Sequence, residues 1–206
     1  GRDLRADVMS EALFDRVQRK LELGHAATPP DMWLDPRIES IDSFTPASVL
    51  VGITEREEPG FILLHRPSNM RAHPGQVAFP GGKRDPGEDA VEAALREAHE
   101  ELGIAPESVR VIGTSDTYRT GSGFEITPVV GILPPDLKIH PNPAEVAQWF
   151  EAPAGFVLDP ANQAVVTMEF NGKAHSFIEI MWREHRIWGV TGAICHNLAR
   201  RLDWHG

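Results

Sequence analysis

Three glutamates stand at the spacing that would place their side chains together on one helix face. They are Glu97, Glu100 and Glu101, and residues three and four apart are neighbours on a helix surface. A stabilising helix would set a lysine or arginine beside each acid, whereas here each acid meets another acid. Clustered carboxylate oxygens are hard ligands that favour Mg²⁺ or Mn²⁺ over Zn²⁺. The cluster therefore predicts a site for one of these ions, with a solvated acidic face as the alternative.

The segment before this cluster is basic. Between residues 65 and 84 there is no acid, and the basic or titratable side chains are His65, Arg66, Arg71, His73, Lys83 and Arg84. Residues 85 to 101 carry seven acids against one arginine. Cations placed just before a metal-binding carboxylate helix suit a polyphosphate that is held partly by metal and partly by basic side chains. The candidates for phosphate binding are Arg66, Arg71, Lys83 and Arg84.

Hydrophobic periodicity predicts the helices and strands that carry these residues. Helical spacing predicts helices at 10–23, 88–102 and 191–202. Short β-like runs predict strands at 47–54, 61–65, 109–114, 124–133, 146–150, 164–170 and 174–182. The first two strands are expected to pair antiparallel, and Asn171-Gly172 predicts a hairpin between the last two. This order predicts an α+β fold with a mixed sheet flanked by helices.

The N-terminal part differs in composition from the remainder. Residues 1–44 are expected to form a helix that Gly24 terminates, followed by a proline-rich connector. Residues 45–206 would form the catalytic domain. An N-terminal helix outside the core could mediate a homodimer.

Composition restricts the partners and the compartment. A net charge of −10 has the wrong sign for gripping nucleic acid through a general basic field. The apolar runs are far shorter than the roughly 20 residues that cross a bilayer, so no membrane partner is expected. Cys195 is the one cysteine in the sequence, which excludes an internal disulfide and favours a reducing compartment, the cytoplasm.

The acidic helix and the turn before it resemble a known family. Gly82, Glu88 and the run Arg96-Glu97-Ala98-His99-Glu100-Glu101-Leu102-Gly103 are similar to the Nudix box. The resemblance implies an α/β/α sandwich with a mixed sheet and a metal-dependent hydrolase. Its reaction would be attack of water on the diphosphate of a nucleotide derivative.

The same resemblance implies roles for individual residues. Glu97 and Glu101 would be the leading metal ligands, with Glu100 assisting and the Gly81 carbonyl as a further ligand. The catalytic residues would be Glu100, Glu101 and Glu145. Glu145 falls where some members place a late acidic residue, which makes it a candidate general base. Its alternative is a solvated loop acid.

Two other charged residues have structural interpretations. Arg96 lies four residues from both Glu92 and Glu100, so it is expected to orient the acidic stripe. On a continuous helix Glu88 would lie about 180° from Glu97. That position favours a role at the helix N-terminus over a role at the metal.

Upstream residues resemble the additional signature of coenzyme A pyrophosphatases. They are Ile62–Arg66, Arg71, Gly75 and Phe79–Gly82, with Leu64 and Pro67 departing from the usual pattern. The resemblance implies cleavage of coenzyme A or acyl-CoA to adenosine 3′,5′-bisphosphate and 4′-phosphopantetheine, or its acyl form. Two alternatives remain: the same chemistry on ADP-ribose or an oxidised nucleotide, and a nucleotide-binding module without turnover.

Overall fold

The computed structural model describes residues 11–28, 31–69 and 75–206. Within these residues the helices are α1 (Leu13–Ala26), α2 (Ala90–Leu102), α3 (Ala154–Val157) and α4 (Gly189–Leu202). The strands are β1 (Thr45–Thr54), β2 (Gly60–His65), β3 (Val77–Ala78), β4 (Gly81–Lys83), β5 (Arg110–Thr114), β6 (Tyr118–Arg119), β7 (Phe124–Leu133), β8 (Gln148–Pro153), β9 (Ala164–Phe170), β10 (Lys173–Trp182) and β11 (His185–Trp188).

The larger sheet is built around β1. Its main path runs β3-β2-β1-β7-β5, while β4 pairs with β1, β6 with β7 and β8 with β2. β1 and β7 are parallel over their full length, from Thr45 opposite Phe124 to Thr54 opposite Leu133. β1 and β2 are antiparallel, as the sequence predicted. The sheet is therefore mixed, and the predicted α+β class is confirmed.

Helices cover both faces of this sheet. On one face α2 packs through Ala94, Ala98 and Leu102 against Leu50 and Ile62 of the strands. On the opposite face the core includes residues from α1, α4 and the smaller β11-β10-β9 sheet. Alternation along β1 explains the division, because successive side chains of a strand point to opposite faces. This gives the predicted sandwich, and no described helix has the length and apolar character required to cross a bilayer.

The Gly24 prediction is wrong, because α1 continues through Gly24 to Ala26. The helix crosses α4 at this point, and a Cβ on Gly24 would lie 1.8 Å from the carbonyl oxygen of Arg201. The Arg201 guanidinium also donates to the Gly24 carbonyl at 3.0 Å. The glycine thus permits close helix packing. Val17 and Leu21 of α1 are buried within the chain's own core, so the expectation of a helix outside the core is wrong. Ser10, the expected helix start, lies outside the described residues.

Most strand predictions hold, and the differences have local causes. The predicted strand at 146–150 begins instead at Gln148, because Val146 packs into the α2 side of the core from a loop. The hairpin at Asn171-Gly172 is confirmed, with both residues at positive φ and β9 paired to β10. The missed strands β3, β4, β6 and β11 have two to four residues, which is too short for a period to be recognised.

Candidate active site

Helix α2 begins and ends at residues whose chemistry suits those positions. The Asp89 carboxylate accepts a hydrogen bond from the Glu92 N–H at 2.8 Å, which caps the first turn. Gly103 adopts the left-handed conformation at φ 68° and donates to the His99 carbonyl, which ends the helix. These two ends fix which residues belong to the helix, and its acids lie along the edge of its buried face.

Arg96 is the hub of the acidic stripe. Its guanidinium donates to Glu88 at 2.8 Å, to Glu97 at 2.9 Å and to Glu100 at 3.2 Å. It also donates to the Lys83 carbonyl at 3.1 Å. The expected pairing with Glu100 is confirmed, while the acidic partners from the N-terminal side are Glu88 and Asp85, at 2.8 Å and 3.3 Å, and not Glu92. The hydrogen bonds to the acids raise the pKa of Arg96, and the bond to Glu88 makes the largest contribution.

The helical-wheel placement of Glu88 is wrong, because α2 begins at Ala90 and Glu88 lies in the preceding turn. Its carboxylate accepts from the Asp85 N–H at 2.7 Å as well as from Arg96. The hydrogen bond from Arg96 makes the largest contribution to lowering the pKa of Glu88, and the bond from the Asp85 N–H makes the next largest. Glu88 therefore holds the turn that connects β4 to α2.

Glu101 is the most buried acid of the stripe, with 6% of its surface exposed. Both its carboxylate oxygens lie 3.3 Å from the Gly81 N–H, which donates to them. Burial raises the pKa of Glu101 to about 8, and the charge of Glu97 adds to the effect. Burial likewise raises the pKa of Glu97. The two side chains are thus held where a negative charge is poorly solvated.

The loop between β7 and β8, which packs on the same face of the sheet as α2, brings Glu145 to these acids. The His140 N–H donates to the Leu102 carbonyl at 2.7 Å, and the Asn142 N–H donates to the Glu101 carbonyl at 2.8 Å. These bonds attach the loop to the C-terminal end of α2. The Oε2 atom of Glu145 is buried and has no hydrogen-bond partner. Its charge contributes to the raised pKa of both Glu97 and Glu101, after burial.

The residues present fit a hard divalent cation. The Glu145 Oε2 has no hydrogen-bond partner, and the charge of Arg66 only partly offsets the burial of Glu101, so a bound cation would stabilise both carboxylates. A Cβ on Gly82 would lie 2.7 Å from the carboxyl carbon of Glu97, so the glycine lets the backbone approach that acid. As the side chains stand, no group of three or more acidic, histidine or cysteine residues in the described ranges converges closely enough to hold an ion. Two of the acids, Glu97 and Glu100, instead accept hydrogen bonds from Arg96.

A mostly apolar cavity of about 230 Å³ lies beside the acids. Its wall includes Ala47, Val49, Phe79, Phe124, Ile126 and Ile194. Gly81 and Gly82 also line it, which joins the cavity to the acidic stripe. Sequence reasoning missed the apolar wall, because its residues follow the same periodicity as core residues elsewhere.

The structure separates the predicted phosphate-binding residues. Arg66 and Lys83 line the cavity, and the Lys83 Nζ lies 5.7 Å from the Phe124 ring centroid. The charge of Arg66 partly offsets the raised pKa of Glu101 that burial causes. Arg84 instead donates to the Glu88 carbonyl at 2.6 Å and does not line this cavity. Arg71 lies outside the described residues, so its role stays a prediction.

Comparison with known proteins identifies the class to which this fold and site belong. The family model of the NUDIX domain matches residues 44–164, and the chain belongs to that family. It is accordingly a pyrophosphohydrolase, and Nudix hydrolases generally use divalent metal ions.

Relatives include two proteins named "Uncharacterized Nudix hydrolase NudL". That of Enterobacter sp. (strain 638) is 43% identical over 158 residues, which cover 76% of this chain and 82% of the relative. That of Photorhabdus laumondii is 39% identical over 158 residues, which cover 76% and 84%. Among solved structures, the C. elegans Ap4A hydrolase binary complex is 23% identical, with a TM-score of 0.46 over 52% of this chain and 80% of its own.

Proposed function

We propose that the chain hydrolyses the diphosphate bond of coenzyme A or an acyl-CoA with Mg²⁺ or Mn²⁺ as its cofactor. The observation that carries this proposal is the position of Arg66. It lines the cavity, and its charge also acts on the buried Glu101. A diphosphate at Arg66 would therefore lie between the cavity and the acids. Negative oxygens at that point would face a guanidinium on one side and the metal-binding acids on the other.

The remaining residues take roles that follow from their surroundings. Glu97 and Glu101 would hold the metal, with Glu100 and the Gly81 carbonyl assisting. When bound, the metal would polarise the diphosphate and make a water nucleophilic near neutral pH. Glu145 is the proposed base, since its buried Oε2 has no hydrogen-bond partner. Arg96 keeps the acids of α2 in place through the bonds described above.

Lys83 supports coenzyme A as the substrate over ADP-ribose. Coenzyme A carries a 3′-phosphate that ADP-ribose lacks, and Lys83 supplies a cation at the aromatic part of the cavity wall. An adenine beside Phe124 would bring its ribose phosphate toward that ammonium. The cytoplasm remains the proposed location, because Cys195 is a free, buried thiol.

The test is a product assay with coenzyme A, 3′-dephospho-coenzyme A and ADP-ribose, each with Mg²⁺ or Mn²⁺. We expect adenosine 3′,5′-bisphosphate and 4′-phosphopantetheine from coenzyme A. The kcat/KM should be at least about tenfold lower for the dephospho compound, equivalent to roughly 1.4 kcal/mol. Lys83→Ala should abolish that difference, whereas Arg84→Ala, which changes the adjacent cation, should retain it. Indifference to the 3′-phosphate would exclude coenzyme A specificity.

Glu101→Gln tests catalysis itself. The change keeps the shape of the side chain and removes its charge, so we expect at least a hundredfold loss of kcat, roughly 2.7 kcal/mol of barrier. Glu100→Gln is the comparison, because Glu100 has 48% of its side chain exposed and should lose less. A wild-type chain that binds coenzyme A but releases no product with either ion would indicate a binding module instead.

A further inference from the structure

The turn at residues 120–123 forms part of the cavity rim. Thr120 lines the cavity and is 1% exposed, and Phe124 follows the turn directly. The Gly123 N–H donates to the Thr120 carbonyl at 3.0 Å, and the Thr120 Oγ1 accepts from the Phe124 N–H at 3.0 Å. The position of this turn therefore sets the positions of two wall residues.

The N-terminal connector reaches this turn through Asp35. The Asp35 carboxylate is buried and accepts from the Gly121 N–H at 2.8 Å. It also accepts from the Arg37 N–H at 2.9 Å and from the Arg37 Nη2 at 2.7 Å. Burial alone would raise the pKa of Asp35, but the bonds from Arg37 and Gly121 outweigh it and lower that pKa. One charged group thus joins segments 86 residues apart in the chain.

Arg37 packs against the turn as well. A Cβ on Gly121 would lie 2.4 Å from the Arg37 Nε and 2.5 Å from its Cζ. The guanidinium therefore covers the glycine directly, and any larger residue would displace it. Asp35, Arg37 and Gly121 form one packed unit, which we term the rim clamp.

The other end of the connector is held by α4. The Trp33 N–H donates to the Asn197 Oδ1 at 2.8 Å, and the Asn197 Nδ2 donates back to the Trp33 carbonyl at 3.2 Å. Asn197 is one helical turn beyond Ile194, which lines the cavity. Residues 33–37 therefore connect α4, the helix that carries Ile194, to the turn at the cavity rim.

We propose that Asp35 is a positioning residue for substrate binding, acting through Gly121 on Thr120 and Phe124. The inference rests on the proposed function for the identity of the substrate. A rim held in place before binding spares the substrate the entropic cost of ordering it. Loss of the clamp should therefore weaken substrate binding and leave the chemical step at the acids intact.

Asp35→Asn tests this with little change of shape. The remaining amide oxygen can still accept from the Arg37 N–H. The NH₂ group that replaces the other carboxylate oxygen is a donor, so it cannot accept from the Gly121 N–H or from the Arg37 guanidinium. We expect KM for coenzyme A to rise about tenfold with kcat within about twofold. Asp159→Asn is the matched control, because Asp159 precedes a proline and caps a similar turn through the Ala161 N–H at 2.9 Å. Its KM and kcat should match those of the wild type.

Hydrogen exchange of the Gly121 amide provides a readout without turnover. In the metal-free, substrate-free protein, Asp35→Asn should speed exchange at Gly121 at least tenfold, while Asp159→Asn leaves it unchanged. Gly121→Ala, which pushes Arg37 away from the other side, should raise KM similarly. Unchanged KM and unchanged exchange in Asp35→Asn would overturn the proposal, as would a fall in kcat alone.

The two proposals fail separately. If the wild type hydrolysed ADP-ribose and not coenzyme A, the coenzyme A assignment would be wrong. The KM of Asp35→Asn for ADP-ribose, compared with that of wild type, would then decide the role of Asp35. If it hydrolysed neither, the proposed function would fall as a whole. The dissociation constant of coenzyme A in EDTA and the exchange of Gly121 would then decide the role of the clamp.

Discussion

Glu101 combines deep burial with the charge that its proposed role as a metal ligand requires. Its pKa is raised to about 8 because burial and Glu97 both disfavour the carboxylate. At neutral pH without a cation the side chain is therefore largely protonated, which makes it compatible with its surroundings. A bound divalent ion would reverse this preference and release a proton. The residue that the resemblance marks as a metal ligand is thus also one that lowers the stability of the metal-free fold.

Glu101→Gln should consequently stabilise the metal-free protein while it removes activity. Because the folded pKa lies above the unfolded value of 4.5, the protonated acid favours folding at low pH. That contribution is lost as pH rises through about 8. In EDTA at pH 8 we expect the free energy of unfolding to rise by roughly 2 kcal/mol, with little change at pH 5. Urea denaturation at both pH values measures this, and equal effects at pH 5 and 8 would contradict it.

At the element scale, α1 and α2 show two different uses of glycine. Gly103 ends α2 in the left-handed conformation, directly after the helix that periodicity predicts at 88–102. Gly24 lies inside α1 and allows contact with α4, which no local pattern indicates. The same residue type therefore terminates one helix and packs another, and the neighbour across the contact decides which.

Gly24→Ala separates helix propensity from packing. Propensity alone would favour alanine by about 1 kcal/mol. The added Cβ would lie 1.8 Å from the Arg201 carbonyl oxygen, so we expect a net loss of stability of about 2 kcal/mol or more. Thermal unfolding measures the change. Gly113→Ala is the control, because its Cβ would meet nothing closer than Leu21 Cδ2 at 3.9 Å, and its effect should stay below about 0.5 kcal/mol.

At the scale of the whole molecule, a histidine pair joins the two sheets. The Nε2 of His65 on β2 and the Nδ1 of His185 on β11 lie 2.8 Å apart. The His185 ring is buried and stacks on Phe150 with centroids 3.8 Å apart. Burial lowers the pKa of His65, and the charge of His185 adds to this. The surroundings of this contact therefore favour the neutral form of His65.

Acidification should weaken this link between the sheets. The folded pKa of His65 lies below the unfolded value of 6.5, so the unfolded chain binds more protons between these values. Stability then falls as pH drops through that window. Between pH 7 and 5.5, the slope of the free energy of unfolding against pH should be flatter for His65→Gln than for wild type. Both proteins keep Glu101, so the difference between their slopes removes its opposite contribution. The control is His140→Gln, which changes an exposed histidine and should keep the wild-type slope in the same urea titrations. If the slope for His65→Gln were parallel to that of wild type, the assignment of the pH dependence to His65 would be refuted.

The local features of this protein were determined by its sequence alone. The acidic helix, the capping glycine at 103, the hairpin at 171–172 and the α+β order depend on neighbours within a few residues, which a period or a turn pair reveals. The Nudix resemblance is likewise carried by one short, contiguous run. Lys83 and Arg84, by contrast, are adjacent cations, and the sequence alone does not distinguish their roles.

The neighbours of each charged group depend on how the whole chain folds. Of those two cations the folded structure lines the cavity with Lys83 and bonds Arg84 to a helix turn. It also sets Glu145 beside α2 and attaches Asp35 to the rim at Gly121. The physical reason is that each of these contacts joins chain segments far apart in sequence, and its position depends on the packing of every element between them.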